Sequence, residues 1–386
     1  MTMVVLAGNK SARILGLAAL AAALLAGCGA VSNAPTPSPL PAVQNKVGAT
    51  VAWRTNIGAQ TDFRFLPAQL GSDKLVVAGA ANTLALLNVD TGAKLWQVQL
   101  EKPVAGGVGA NGDLIAVGTL KGELFAFGDD GKSRWKVQLS SEIIAPPTIA
   151  QNIVMVRTGD GRISGLSAKD GSRVWQFQRQ LPALTLRNFA PMAVVEGSAL
   201  AGLAGGRLVA LGIVDGRVLW DSPVALPRGA TELERVADVV SAPVVTGNQV
   251  CAAAYQGRVS CFSVLNGTLA WSREASSFSG VAVDSDHLYL VDAEGAVQAF
   301  ERISGRSLWR QDKLVARSVG SPAIVNGKVA VADYEGYVHF LNPEDGSLVG
   351  QLATDGSRIA AAPQAINDKL IVQTQSGNVF ALKVNK

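Results

Sequence analysis

Histidine occurs only twice and cysteine only three times in this 386-residue chain, and neither type clusters. His287 ("SDHLYL") and His339 ("YVHFL") stand alone in strand-like stretches, so no spacing of the kind that holds zinc is present, and no metal site is expected. After residue 27 no run is long and apolar enough to cross a bilayer as a helix, so the body is expected to be peripheral to any membrane. A block of one charge sign is also missing: 34 Lys and Arg are interspersed with 30 Asp and Glu, which points away from a nucleic-acid partner despite a pI near 9.0. Acidic pairs such as Asp129–Asp130 and Glu344–Asp345 fall in turns, where they read as solvated turn residues rather than as an acid/base pair.

What is present begins with a processing signal. Lys10 and Arg13 precede "ILGLAALAAALLAG", a short apolar run that ends in small residues as an export signal does. It ends in "LAGC", Leu25 to Cys28, which resembles the bacterial lipobox; that resemblance implies removal of residues 1–27 and lipidation of Cys28 as the mature N-terminus. Acyl chains contribute about 0.8 kcal/mol per buried CH2, so several on one cysteine anchor a chain firmly. Gly29 rather than Asp follows the cysteine, which in lipoprotein sorting implies the outer membrane, with the body in the periplasm. Residues 28–46 carry Pro35, Pro37, Pro39 and Pro41 with little charge, and are expected to form an extended tether. Residues 47–386 form the body.

The seven tryptophans set a rhythm. Six lie four residues after a glycine, as in "TGAKLW" (Gly92, Trp96), "DGSRVW" (Gly171, Trp175) and "NGTLAW" (Gly267, Trp271); a further copy, "DGSLVG", has Gly350 where Trp belongs. A second signature precedes each, for example "GELFAF", "GRLVAL" and "GYVHFL", and recurs eight times, the last as "GNVFAL" from Gly377. The first residue of that signature lies 14 positions before the Trp position in six of seven copies, and 13 before it in the other. The eighth copy runs out of chain, whereas "TVAWRTN" at the other end carries Trp53 with no signature before it. If that N-terminal strand completes the last sheet, no repeat is orphaned and no sheet edge is left open.

Each unit of roughly 40 residues reads as four short strands, for example "PTIA", "IVMVR", "RISGLS" and "RVWQFQ". The expected fold is therefore all-β, an eight-bladed β-propeller of four-stranded blades closed by the N-terminal strand, with very little helix. A β-sandwich would not repeat so regularly, and a solenoid would not split one unit between its ends. The Trp motif resembles the docking motif of quinoprotein propellers, in which the indole fills the wedge between blades. Enzymes of that family use pyrroloquinoline quinone, a calcium-type ion held by carboxylates, an aspartate base and usually a disulfide between adjacent cysteines. None of these features is recognisable, so no cofactor is expected; a quinoprotein-like enzyme or ligand-binding propeller is the alternative reading. Cys251 and Cys261 flank a hairpin turn around Gln256, which would place them opposite one another, either as a cross-strand disulfide or as two buried thiols.

Function is expected where the spacing breaks. From each Trp position to the proline that opens the next blade the distances are 11, 16, 23, 13 and 13 residues, ending at Pro146, Pro191, Pro243, Pro322 and Pro363. The two long connections are consecutive and of one kind, so they emerge on one face from neighbouring blades. The first contains "ALTLRNFAP". The second contains "TELE", with the spacing of a capping box at Thr231 and Glu234, followed by Leu233, Val236 and Ala237 on one face of a turn or two of helix. Leu184 and Leu186 either cap the propeller core, with Arg187 in a local ion pair, or join Arg187 as a docking patch of the composition that protein interfaces favour.

On the lipobox, the eight repeats and the stretches "LTLRNFAP" and "GATELERVADVVSAPVV", the chain resembles the BamB family, lipoprotein subunits of the β-barrel assembly machinery of Gram-negative outer membranes. The resemblance implies a non-enzymatic scaffold that aids assembly and insertion of β-barrel proteins by binding the periplasmic POTRA domains of a BamA-like subunit. Carried over residue by residue, it implies partner contacts at Leu184, Leu186, Arg187 and Asp238. Val240 stands where the family has a second Asp.

Overall fold

The computed structural model describes residues 35–58, 65–79, 82–187, 190–359 and 361–385. The signal segment 1–27 and Cys28 lie outside the described residues. Thirty-two strands and no helix are found among those described. They form eight four-stranded antiparallel sheets arranged as an eight-bladed β-propeller. Seven blades use consecutive strands, spanning residues 68–99, 104–138, 148–178, 193–223, 244–274, 281–311 and 323–353. The eighth joins residues 364–384 to Ala49–Asn56, with Ala49 opposite Val384 and Asn56 opposite Asn378, so the ring closes with the N-terminal strand as expected.

The middle strands of a blade are covered on both faces by the neighbouring blades. They therefore read as continuous apolar runs: "LIAVGT" (Leu114–Thr119) is buried at every position. Outermost strands alternate instead, as in Lys94–Gln99, whose every second side chain turns to solvent. The core is thus a set of eight apolar clusters, each shared by two adjacent blades.

The tryptophans are the joints between those clusters. Every indole donates its Nε1–H to a carbonyl of the next blade, from Trp53 to Val89 (2.8 Å) through Trp220 to Val264 (2.8 Å) to Trp309 on Pro343 (2.7 Å). The glycine of the next repeat lies under each ring. At Gly267 an added Cβ would come within 2.6 Å of the Trp220 ring, and φ is +69°, so both shape and backbone demand glycine. An indole that covers roughly 150 Å² contributes about 4 kcal/mol at about 25 cal/mol per Å². The spacing of four between Gly and Trp therefore carries two contacts, with the glycine receiving the previous blade's ring and the Trp reaching forward to the next blade.

Gly350 breaks this pattern for a visible reason. Val47, buried in the cluster between the seventh and eighth blades, runs past this position, and the amides of Lys46 and Val47 both donate to the Val349 carbonyl (2.8 and 3.1 Å). The segment before the first strand occupies the room an indole would need. Further upstream, the Arg317 guanidinium donates to the Ser38 carbonyl at 2.9 Å, and the Ser38 amide donates to the Val315 carbonyl at 3.1 Å. Arg317 is itself 1% exposed and is held by Asp333 and Glu335. The expected tether is therefore fastened to the body at Ser38 and again at residues 45–47.

Candidate functional site

The two long connections span residues 179–192, between the strands Arg173–Gln178 and Ala193–Val195, and 224–243, between Val218–Pro223 and Val244–Thr246. Because all blades have the same strand order, these connections leave the ring on one face, and the structure joins them directly. The Asp238 carboxylate accepts the Leu186 amide on Oδ2 (2.7 Å) and the Gly205 amide on Oδ1 (2.9 Å). Asp238 is only 1% exposed, and burial pushes its carboxyl above the usual carboxylate value while the two amides pull it down. Its own backbone is fixed as well: its carbonyl accepts the Tyr255 amide at 2.9 Å, and the next amide, Val239, donates to Leu203 at 3.2 Å.

Leu184 (43% exposed) and Leu186 (36%) both face solvent, so neither leucine is consumed as a cap over the core. Arg187 is exposed beside them, with a guanidinium nitrogen 3.8 Å from Glu142, a long contact on the open surface that leaves most of its donors available. Three of the four residues expected at the patch thus share its surface. Asp238, expected with them, lies underneath as the peg that fixes the loop backbone. Asn188 and Phe189 lie outside the described residues.

The second connection forms its capping box and, of the expected turn or two of helix, a single turn. Glu234 accepts the amides of Ala230 (2.7 Å) and Thr231 (3.0 Å), and its own amide donates to the Thr231 hydroxyl at 3.3 Å. Those bonds hold Glu234 below the usual carboxylate range. A single turn follows, closed by the Arg235 amide on the Thr231 carbonyl at 3.2 Å, and the chain then extends. Tertiary contacts end the turn: Val236 is buried, Ala237 joins the core between the fourth and fifth blades, and Asp238 is committed to the other loop. Leu233, expected on the same face as Val236, points to solvent at 72% exposure.

Sequence reasoning missed two participants. Glu142, in the connection that leads into the third blade, faces Arg187. Arg157, the last residue of the strand Ile153–Arg157, lines a cavity of about 200 Å³ beneath the first loop, together with Leu186, Arg187 and Asp238. The "IVMVR" pattern places an arginine at a strand end, an unremarked position in one dimension.

Elsewhere, Cys251 and Cys261 face each other across paired strands and form a disulfide with Cα atoms 4.1 Å apart. His339 is fully buried with its Nε2 3.0 Å from Asp333, and Nδ1 of His287 lies 3.5 Å from Asp284. Among the described residues no group of three or more His, Cys, Asp or Glu converges as metal ligands would.

A closed ring of tryptophan-docked blades with two enlarged, cross-tied loops on one face defines the class: an eight-bladed propeller of the quinoprotein-like repeat kind whose elaboration lies in its loops. Within that class the chain belongs to the family of the outer membrane protein assembly factor BamB, whose family model matches residues 80–311. The BamB of Burkholderia pseudomallei (strain K96243) is 37% identical over 379 residues, covering 97% of this chain and 99% of that protein. That of Escherichia coli (strain K12) is 31% identical over 379 residues, covering 94% and 97%. The crystal structure of BamB from Moraxella catarrhalis superposes with a TM-score of 0.81 at 28% identity, covering 87% of this chain and all of that one. A quinohemoprotein alcohol dehydrogenase from Pseudomonas putida HK5 superposes with a TM-score of 0.72 at 12% identity, a likeness of fold alone.

Proposed function

We propose that this protein is a non-enzymatic scaffold of the outer-membrane β-barrel assembly machinery, and that it docks the POTRA region of a BamA-like subunit through Leu184, Leu186 and Arg187. Anchored through lipid on Cys28, its body would lie in the periplasm and present the two-loop face to the partner. The observation that carries this reading is the pre-set loop itself. Two leucines and an arginine stand exposed together on a backbone held from below by Asp238, so little ordering entropy is lost when a partner binds. Family membership supports the setting, since the relatives are named assembly factors of outer membrane proteins.

The test is co-purification from membranes with the Leu184→Ala/Leu186→Ala/Arg187→Ala variant. All three side chains are exposed, so the unfolding midpoint should stay close to that of the wild type while the BamA-like protein is lost from the eluate. Undiminished co-purification would overturn the assignment.

A further inference from the structure

The cavity beneath the first long loop holds a guanidinium that, among the described residues, is in no ion pair. Arg157 is partly buried as a residue, but its Nε and Nη2 atoms are closed off from solvent and have no hydrogen-bond partner. Each carboxylate that lines the cavity is already engaged. Glu142 faces Arg187 and accepts the Ser141 hydroxyl at 2.9 Å, and both oxygens of Asp238 take backbone amides. The other arginines of the lining have partners of their own, Arg162 with Asp160 and Arg179 with Asp221. Burial lowers the Arg157 guanidinium to about 10, which leaves it charged at neutral pH. A closed-off, unpaired cation is costly to keep, and native proteins rarely keep one without a use for it.

We infer that Arg157 is the receptor for an acidic side chain of the docked partner, which enters between Leu181 and Leu186 and pairs with the guanidinium at the floor of the cavity. The chemistry fits from both ends. Guanidinium offers two parallel N–H donors in the geometry of a carboxylate, and here part of its desolvation precedes the partner's arrival. Part of the wall is apolar, with Ile144 and Ile163 buried and Leu203 beside them, which suits the methylenes of a glutamate. The site lies directly below the exposed leucines, so one docking event would seat apolar anchors on the rim and an acid in the floor. The identity of the partner rests on the docking reading above; the carboxylate site itself does not.

The test uses the whole purified protein and the peptide acetyl-Ala-Glu-Ala-amide, with acetyl-Ala-Gln-Ala-amide as control, read at the Arg157 Nε–H NMR signal at pH 7 and low salt. A saturable shift with the Glu peptide is expected, absent with the Gln peptide and absent in Arg157→Met. No shift, or equal shifts with both peptides, overturns the inference; so does an equally strong response to inorganic phosphate, which would mark a general anion site. In a second arm the purified periplasmic region of the BamA-like protein is titrated. Arg157→Met should weaken binding about tenfold or more, with Arg157→Lys intermediate and the unfolding midpoint of Arg157→Met at or above that of the wild type. If the triple loop variant loses binding while Arg157→Met binds like the wild type, the inference falls and the docking reading stands. If the wild type itself does not bind, the docking reading falls and the peptide arm alone decides the carboxylate site.

Discussion

The carboxylate of Asp238 lies 2.7 Å from the amide nitrogen of Leu186, so a residue of one inter-blade connection sets the backbone of the other. The relationship is one of positioning. Asp238 is buried, and its effect on any partner passes through the loop that carries Leu184, Leu186 and Arg187.

Replacing Asp238 by alanine leaves the amides of Leu186 and Gly205 without their acceptor. A buried donor left unsatisfied costs about 1–3 kcal/mol, offset here by relief of the desolvated carboxylate, so a net loss of about 1–2 kcal/mol in chemical denaturation is expected. Partner binding should weaken with it, although no contact residue has been touched. Asp238→Asn keeps only one acceptor oxygen for two amides and should fall between wild type and alanine. Stability and binding both unchanged in Asp238→Ala would refute the peg.

The Cys251–Cys261 bond closes a short loop, with a sequence separation of ten, across strands already paired by their ladder. Chain entropy assigns about 3 kcal/mol to a loop of this size, and the existing pairing lowers the benefit. Cys251→Ala/Cys261→Ala should therefore fold and keep its partner, with a loss of less than about 3 kcal/mol in denaturant titration. Intact-mass measurement of the unreduced protein should find neither thiol open to alkylation; two alkylated thiols would refute the bond.

Acid should act on the eighth blade. Asp355 accepts from the side chains of Ser357, Thr374, Ser376 and Asn378, and these bonds hold its carboxyl far below the ordinary 3.8. Below 3.8 the unfolded chain takes up a proton that the folded one refuses, so this contribution is fully present above that value and falls as the pH drops toward the folded pKa. Asp238 opposes it, because its raised pKa makes the folded state the better proton acceptor just above 3.8; the Asp355 depression is the larger. In Asp355→Asn the deficit relative to wild type should be greatest near neutral pH and shrink below pH 3.8 in denaturation at a series of pH values. A constant deficit would show that the hydrogen-bonded charge is not its source.

The repeat was legible because two different neighbours constrain it. Gly267 must accept the Trp220 ring while Trp271 reaches the Arg302 carbonyl, and such reciprocal demands leave a fixed spacing in one dimension. The exception at Gly350 was visible but not interpretable, because the group that displaces an indole there, Val47, belongs to a distant stretch of chain. The same limit applies at the patch. Local chemistry announced the capping box at Thr231 and Glu234, but burial of Val236 and Ala237 ended the helix after a single turn, and Leu233 was left facing outward. The broken rhythm singled out "LTLR" but left open whether its leucines cap the core or face outward, which depends on the fold around them. Arg157 could not be singled out, since an arginine is an orphan only once every nearby carboxylate has been assigned elsewhere.

The seam between Ala49–Asn56 and Asn378–Val384 imposes an order in time. The strand that bears Trp53 is synthesised before the seven blades of consecutive strands, yet its sheet partner follows the last of them, so the earlier strand waits until all seven have been made. Until that partner is made, Trp53 has no strand beside it, and the eighth blade has only two paired strands. A chain cut short before Asn378 leaves Ala49–Asn56 and Lys369–Gln373 without the strand that lies between them, and the ring stays open. The closing strand therefore works as a clasp: the ring shuts only when strands from both sides of the seam are present to share it.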